Sequence, residues 1–448
     1  MIERLLKFLP VKLRRNLEQR SGLINILNNI TWLFFDKFIR LGVGLLVGVW
    51  IARYLGPEQF GLLSYALAFV ALFSAVANLG LNAIVVRDLV QDSASTDTTM
   101  GTSFLLSVFG GLLAFCLSLL AISYARPDDE LAKFIVVLLS LLMVFKATDV
   151  VRYWFESQVQ SKYVVWMENG LFLVFAAIKI VLIVAEAPLL AFIWALFAEG
   201  LLVSTGLMIV YALQGGEIRA WRAQISRVKN LIKDSWPLIL SGLAIMVYMR
   251  IDQIMLGQML DDESVGIYSA AVKISEVWYF IPMTIVASVF PSIIEAKKQG
   301  EARYYQRLQK LSGLMLLLAL AGAIPMTFLS AWITDLLFGN AYQLAGSVLA
   351  IHIWSGLFVF LGLASGEWFI IEGLQKYYFY RTILGAFVNI GLNFIMIPKF
   401  GIIGAAWATV VAQLCSNILF NIFNRKTRVI FFMQCKSILA IPRLFKRA

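Results

Sequence analysis

Histidine occurs once in this 448-residue sequence, as His352, and cysteine three times, as Cys116, Cys415 and Cys435. One imidazole excludes a multi-histidine metal centre. An odd cysteine count without motif spacing argues against a disulfide framework and against a thiolate metal site. His352 lies in an apolar run, the setting of a packed helix residue more often than of a ligand. Catalytic signatures are missing too: there is no G-x-x-x-x-G-K-S/T phosphate loop, no H-E-x-x-H zinc pair and no G-x-S-x-G nucleophile turn. These absences point to a protein that is not an enzyme and that needs no cofactor. Charge is the scarcest commodity. Asp, Glu, Lys and Arg make up 15% of the chain, against about 25% in soluble domains. No stretch is polar enough or long enough to form a soluble ATP-hydrolysing domain.

What is present is apolar. Hydrophobic residues make up 60% of the chain, and the mean hydropathy is +0.81. The surplus can face only lipid. A crossing needs about 20 mostly apolar residues, because the hydrocarbon is about 30 Å thick and a helix rises 1.5 Å per residue. Twelve such runs occur, near 24–53, 60–83, 100–124, 131–153, 163–186, 189–213, 234–257, 264–290, 311–334, 344–372, 378–397 and 401–424. The eighth contains Pro282 and the ninth Pro325, both potential kinks. Pro398-Lys399-Phe400-Gly401 reads as a tight hairpin between the last two.

The basic residues are sorted by side. Segments on one side of the predicted spans hold 28 of the 38 Lys and Arg, and the other side holds four, Arg53, Arg126, Lys133 and Lys399. Clustering in short loops is a topology signal rather than a nucleic-acid footprint, and it places both termini in the cytoplasm. Arg381 falls in the tenth loop on this count. The chain then divides into a basic segment over 1–21, a first lobe over 22–213, a basic connector over 214–233, a second lobe over 234–424 and a basic cytoplasmic tail over 425–448. Leu6, Leu9, Leu13 and Leu17 recur at helical spacing, consistent with an amphipathic helix on the membrane surface or with a basic tail that only fixes orientation. Gly61-Leu62-Leu63-Ser64-Tyr65-Ala66 and Gly266-Ile267-Tyr268-Ser269-Ala270-Ala271 open the second and eighth spans, and Trp194-Ala195 echoes Trp407-Ala408. Both echoes fit two parallel six-span repeats, a transporter plan.

Charges inside spans are costly and usually face a bundle interior or a wet cavity. Asp36 and Arg40 are spaced to pair on one helix face. They are either a neutralised packing pair or the wall of a cavity with Arg40 toward substrate. Lys146, Asp149 and Arg152 form a ladder whose ends can snorkel to the headgroups. Lys179 has no acid within a turn, and so calls for water, an acid from another helix or an anionic ligand. Arg250 and Asp252 lie two residues apart and point to opposite sides. Lys273 and Glu276 are placed to pair. Glu199 and Glu367 are lone acids, open to a base on another helix or a coupling cation. Arg40, Lys179, Arg250 and Lys273, drawn from both halves, are the candidate substrate-binding residues. Asp36, Glu199, Asp252, Glu276 and Glu367 are the candidate charge partners or ion-coupling groups.

Ala52-Arg53-Tyr54-Leu55-Gly56-Pro57-Glu58-Gln59-Phe60-Gly61, followed by Ser64-Tyr65-Ala66, Leu79-Gly80-Leu81 and Arg87, resembles the opening of the polysaccharide-transporter family. These are the lipid-linked oligosaccharide flippases of the multidrug/oligosaccharidyl-lipid/polysaccharide (MOP) superfamily. Phe400-Gly401-Ile402-Ile403-Gly404-Ala405-Ala406-Trp407-Ala408-Thr409 resembles the start of that family's last core helix. The resemblance implies an all-α polytopic membrane protein of about twelve transmembrane helices in two pseudo-symmetric six-helix lobes, opening alternately to each face. It also implies an undecaprenyl-diphosphate-linked glycan as substrate, membrane lipids around it and a bacterial inner-membrane location. Without an ATP-hydrolysing domain, transport would be driven by an ion gradient, with sodium or protons as the coupling cation, by the membrane potential or by the substrate gradient. A glycan polymerase and a length regulator are the neighbouring partners the resemblance suggests. By position, Arg40, Lys179, Arg250 and Lys273 would meet the diphosphate, and Gly56-Pro57 would serve as a hinge. The serine- and arginine-aspartate-rich opening associated with peptidoglycan lipid II flippases is missing. A multidrug or metabolite exporter of the same superfamily is the alternative, although an exporter of cations would favour an acid-dominated interior. A glycan polymerase is a further one, disfavoured by the short outward loops.

Overall fold

The computed structural model describes residues 21–445; the segment expected over 1–21 lies, but for its last residue, outside them. The described residues form helices joined by short turns, and no strand occurs among them. In chain order the helices are α1 (Ser21–Asn78), α2 (Asn82–Gln91), α3 (Thr96–Ala125), α4 (Glu130–Phe145), α5 (Asp149–Ser157), α6 (Lys162–Val184) and α7 (Leu189–Leu213). They continue as α8 (Ile225–Met259), α9 (Asp262–Val277), α10 (Phe280–Lys298), α11 (Glu301–Phe338), α12 (Gln343–His352) and α13 (Ser355–Ile371). The last three are α14 (Gln375–Leu414), α15 (Phe420–Phe423) and α16 (Arg428–Phe445).

Among the described residues nine helical stretches are long and apolar enough to cross a membrane, and a tenth is the α12–α13 pair, bent by 43°. Two of the nine are far too long for one crossing: Phe35–Gln91 has 57 residues and Gln375–Phe423 has 49. Each is broken near its middle by a glycine. Gly56 has φ 73° within α1, a conformation that costs glycine nothing and other residues much. Pro57 then opens the next segment, where its fixed φ suits a first helical turn. Gly401 breaks α14 with φ 58°. A side chain on Gly404 would run into the Met396 carbonyl, so the chain folds back tightly there, as the hairpin pattern predicts. Counting each long stretch twice accounts for about twelve spans.

The proline expectations are modified. The eighth span breaks between Val277 and Phe280, ahead of Pro282, which falls in the first turn of α10. A missing N–H there leaves no helical bond unmade. Pro325 sits inside α11, which runs unbroken through it. Side-chain caps mark two helix starts: Asp129 accepts from Ala132 N at 2.9 Å and Asp261 from Ser264 N at 2.7 Å, each satisfying a backbone donor that a helix end leaves open.

The chain separates into two compact units, one of residues 21–51 with Phe69–Leu243 and one of Ala52–Ala68 with 244–445. The first unit is packed around Leu81, Val85, Val151, Phe155, Leu207 and Tyr211. The second is packed around Ile293, Leu308, Met315, Phe360, Trp368 and Phe369. In the second unit the backbones of two segments touch. A Cβ on Gly61 would overlap the Asp262 carbonyl, and one on Gly266 would overlap the Pro57 carbonyl. The tail is more structured than a basic extension: α16 buries Ile430, Gln434 and Ser437. Gln309 on α11 donates to Ser437 Oγ at 2.6 Å and to the Met433 carbonyl at 3.1 Å.

Candidate functional site

In the first unit the embedded charges are gathered into a network. Arg40 donates through Nε to Asp36 at 2.6 Å, one turn back, and through Nη2 to Glu168 at 3.0 Å. Arg152 donates to the other oxygen of Glu168 at 2.5 Å and lies 3.4 Å from Asp149. Glu168 is therefore clamped between two guanidiniums, with its side chain only 9% exposed. Arg152, expected to snorkel, thus has a carboxylate partner on the next helix, while its side chain stays 37% exposed. A 3-10 turn at Lys146–Thr148 breaks the helical ladder that had suggested snorkelling. Sequence reasoning missed Glu168. The signal was available, since Glu168-Asn169 interrupts an apolar run in α6 at helical spacing from Phe172, over whose ring Arg40 lies at 5.5 Å.

Lys179 is not an uncompensated cation. Its Nζ lies 2.6 Å from Glu199 Oε2, with side-chain exposures of 10% and 17%. α6 and α7 are successive helices, and the lone base of one meets the lone acid of the other. A buried charge is tolerable when so paired, and the expectation of an open anionic ligand at Lys179 loses its motive.

In the second unit Arg250 faces Glu276 through two N···O contacts of 3.5 Å. They have the parallel geometry of a bidentate pair, at the long limit of hydrogen bonding. Glu276 is thus met by Arg250, on another helix, a pairing that the spacing of Lys273 and Glu276 had not indicated. Lys273 Nζ lies 5.9 Å from the Phe60 ring centroid. Glu367 is half-buried and makes no ion pair among the described residues. His352 is 4% exposed and shares a 3.0 Å hydrogen bond with Ser275 Oγ, a packed residue as read from its surroundings.

Asp252 is 5% exposed and has no basic partner among the described residues. Three neutral donors hold it: Thr409 Oγ1 at 2.5 Å, Asn393 Nδ2 at 2.5 Å and Tyr268 Oη at 2.8 Å. Asn393 Nδ2 also reaches Asn389 Oδ1 at 3.1 Å, while Asn393 Oδ1 and Asn389 Nδ2 are buried without partners. Asp252, Tyr268, Thr409 and Glu276 line a cavity of about 210 Å³.

The same cavity is lined by Arg381, which sequence reasoning had placed in a cytoplasmic loop. It is 3% exposed. Its Nη1 donates to Ser365 Oγ and its Nη2 to the Gly362 carbonyl, both at 3.1 Å. The guanidinium lies 4.3 Å from the Tyr378 ring centroid and 5.0 Å from that of Phe369. The helical period did mark it: Arg381, Thr382, Gly385, Ala386, Asn389 and Asn393 form one buried face of α14.

A family model described as Polysaccharide biosynthesis protein matches residues 26–297, well over half of the chain. The chain belongs to that family. A second model, MatE, matches residues 237–395. A Shigella dysenteriae protein named as an O-antigen transporter is 24% identical over 385 residues, covering 84% of this chain and 92% of its own. A Haloferax volcanii protein named as the flippase AglR is 23% identical over 398 residues, covering 84% and 79%. The fold resembles that of a multidrug resistance MATE family transporter of the MOP superfamily in an inward-facing conformation. That structure has a TM-score of 0.70 and 15% identity, covering 93% of this chain and 99% of that one. The protein is thus a multi-pass membrane protein of the polysaccharide biosynthesis protein family.

Proposed function

We propose that this protein moves a polyprenyl-diphosphate-linked oligosaccharide from the cytoplasmic to the outer leaflet of a bacterial inner membrane by alternating access, and that a cation gradient drives it. Both termini are cytoplasmic in this scheme. The observation that carries the proposal is a carboxylate without a basic partner, Asp252, deep in a chain of this family. The sequence offers no nucleotide-binding loop, so the drive is a gradient. A coupling group must exchange a cation during the cycle, and a carboxylate already neutralised by Arg or Lys does so poorly. Asp252 has only neutral neighbours, and the buried, donor-free Asn393 Oδ1 is a second oxygen for a sodium ion. A proton would need the carboxylate alone.

Arg40, Arg250 and Lys273 are the proposed contacts for the diphosphate, and Gly56-Pro57 the proposed hinge. Asp36 and Glu276 hold Arg40 and Arg250 in place until the anion arrives. Lys179 already has its counter-charge in Glu199 and is assigned to the stability of its unit.

The test is reconstitution. Purified protein in vesicles is given a fluorescent polyprenyl-diphosphate glycan, and outward movement is read by protection from a membrane-impermeant quencher. Translocation accelerated by an imposed sodium or proton gradient is the expected result. Absence of translocation under every gradient overturns it. The MatE match over 237–395 favours one competing cargo, an exported drug or metabolite. Drug-resistance profiles of cells with and without the gene separate the two.

A further inference from the structure

Arg381 is a full positive charge in the interior of the second unit with no negative charge to meet it. Among the described residues no carboxylate lies within ion-pairing distance. Guanidinium does not lose its proton in proteins. Its donors are partly satisfied by Ser365 and Gly362, and its faces by Tyr378 and Phe369, but neutral partners leave the charge itself uncompensated. A buried charge without a counter-charge is strongly destabilising. Packing alone does not require it, since an uncharged side chain could fill the gap between two rings.

The only carboxylate of the cavity that lacks a basic partner is too far away to help. Asp252 is bonded to Asn393, twelve residues beyond Arg381 on α14, which is about 18 Å along a helix axis. The cavity therefore has a cationic end and an anionic end. At the cationic end Tyr248, Tyr378, Thr382, Gln413, Ser416 and Asn417 line it beside Arg381. Tyr248 Oη is buried without a hydrogen-bond partner, so a hydroxyl donor is unspent beside the guanidinium. At about 210 Å³ the space falls below the roughly 300–1,000 Å³ of pockets for drug-sized ligands. It suits one small group, not a whole oligosaccharide.

We propose that the Arg381 end of this cavity is an oxyanion subsite that takes a phosphate group or the carboxylate of an acidic sugar, with the aromatic and amide side chains around it receiving the attached ring or chain. Both ligands offer two oxygens on one centre, planar in a carboxylate and part of a tetrahedron in a phosphate, that a guanidinium fork can grip. The proposal rests on the flippase reading only for the source of the anion: the diphosphate of the lipid carrier or an acidic residue of the glycan.

The experiment measures binding to the purified full chain by calorimetry and by thermal unfolding. The probes are inorganic pyrophosphate, methyl glucuronide and the neutral methyl glucoside. At least one anion is expected to bind saturably and raise the unfolding midpoint, with no effect of the glucoside. Pyrophosphate binding assigns the subsite to the carrier, and glucuronide binding assigns it to the glycan. R381Q is expected to abolish binding, and R381K to weaken it at least tenfold, because an ammonium lacks the planar fork. No saturable binding of either anion to the wild-type chain overturns the proposal, as does unchanged affinity in R381K. The second criterion decides even if R381Q does not fold. Anion binding in a protein that moves no glycan lipid sinks the transport reading and leaves the subsite standing. Normal glycan transport by a chain that binds neither anion does the reverse.

Discussion

Gly61 and Gly266 lie where two backbones meet: a methyl on either one would overlap a carbonyl of the other segment, Asp262 or Pro57. The two glycines open the matching hexapeptides that suggest an internal repeat. The pattern in the sequence is thus also a contact in the structure, between the second half of α1 and the start of α9.

Backbone atoms on both sides of that crossing make it intolerant of volume. Gly61→Ala and Gly266→Ala are each expected to destabilise the protein by at least the roughly 1–3 kcal/mol usual for overpacking. Gly391→Ala is the control, because a Cβ there meets nothing within 4 Å and removes a glycine from a helix interior, worth about 0.5–1 kcal/mol. Thermal unfolding in detergent should separate them, with the first two falling and the third unchanged or rising. Equal midpoints would mean that the two segments do not pack so closely.

The buried Lys179–Glu199 pair makes a prediction of opposite sense from a substrate-binding role. Removing either partner leaves a buried charge alone, which costs about 3–5 kcal/mol. Lys179→Met and Glu199→Gln should each lower stability, and the double replacement by Met at both positions should restore most of it, with transport recovered. A double variant that is stable but transports nothing would return Lys179 to the substrate path.

Glu168 has the highest stakes in the first unit, because two arginines depend on it. Glu168→Gln leaves Arg40 with Asp36 at 2.6 Å, but leaves Arg152 with only Asp149 at 3.4 Å. Stability is expected to fall by more than for Asp36→Asn, with the loss moderated because both guanidiniums are 37% exposed and partly screened by solvent. Ranking the two variants by unfolding midpoint checks this.

Span count, helical class and the pairing of Asp36 with Arg40 were legible in the sequence because each rests on local spacing. Hydropathy runs mark crossings, and i, i+4 neighbours share a face. The partners of Lys179, Arg152 and Arg250 were not legible, because each sits on another helix and no period relates the two. Arg381 was misplaced for a different reason. It stands one to two turns inside α14, behind the aromatic stretch Tyr377-Tyr378-Phe379-Tyr380, and a hydropathy count reads any arginine near a span end as a loop residue. The buried face through Gly385, Asn389 and Asn393 was the better guide.

Asp252 supports the sharpest prediction on transport. Its three donors, Thr409, Asn393 and Tyr268, fit either an ionised carboxylate or, by rotation of hydroxyl and amide groups, a shared cation site. Asp252→Asn removes the exchangeable charge while keeping nearly the same shape, so packing should be largely preserved. Gradient-driven translocation in vesicles is expected to fall at least a hundredfold, while slow equilibration of substrate persists. Thr409→Val and Asn393→Leu then identify the cation. A sodium ion needs their oxygens, so both variants should raise the sodium concentration required for half-maximal transport. A proton does not, so a proton-driven protein should keep its ion dependence in both. Full gradient-driven transport by the Asp252→Asn protein would remove Asp252 from the coupling mechanism altogether.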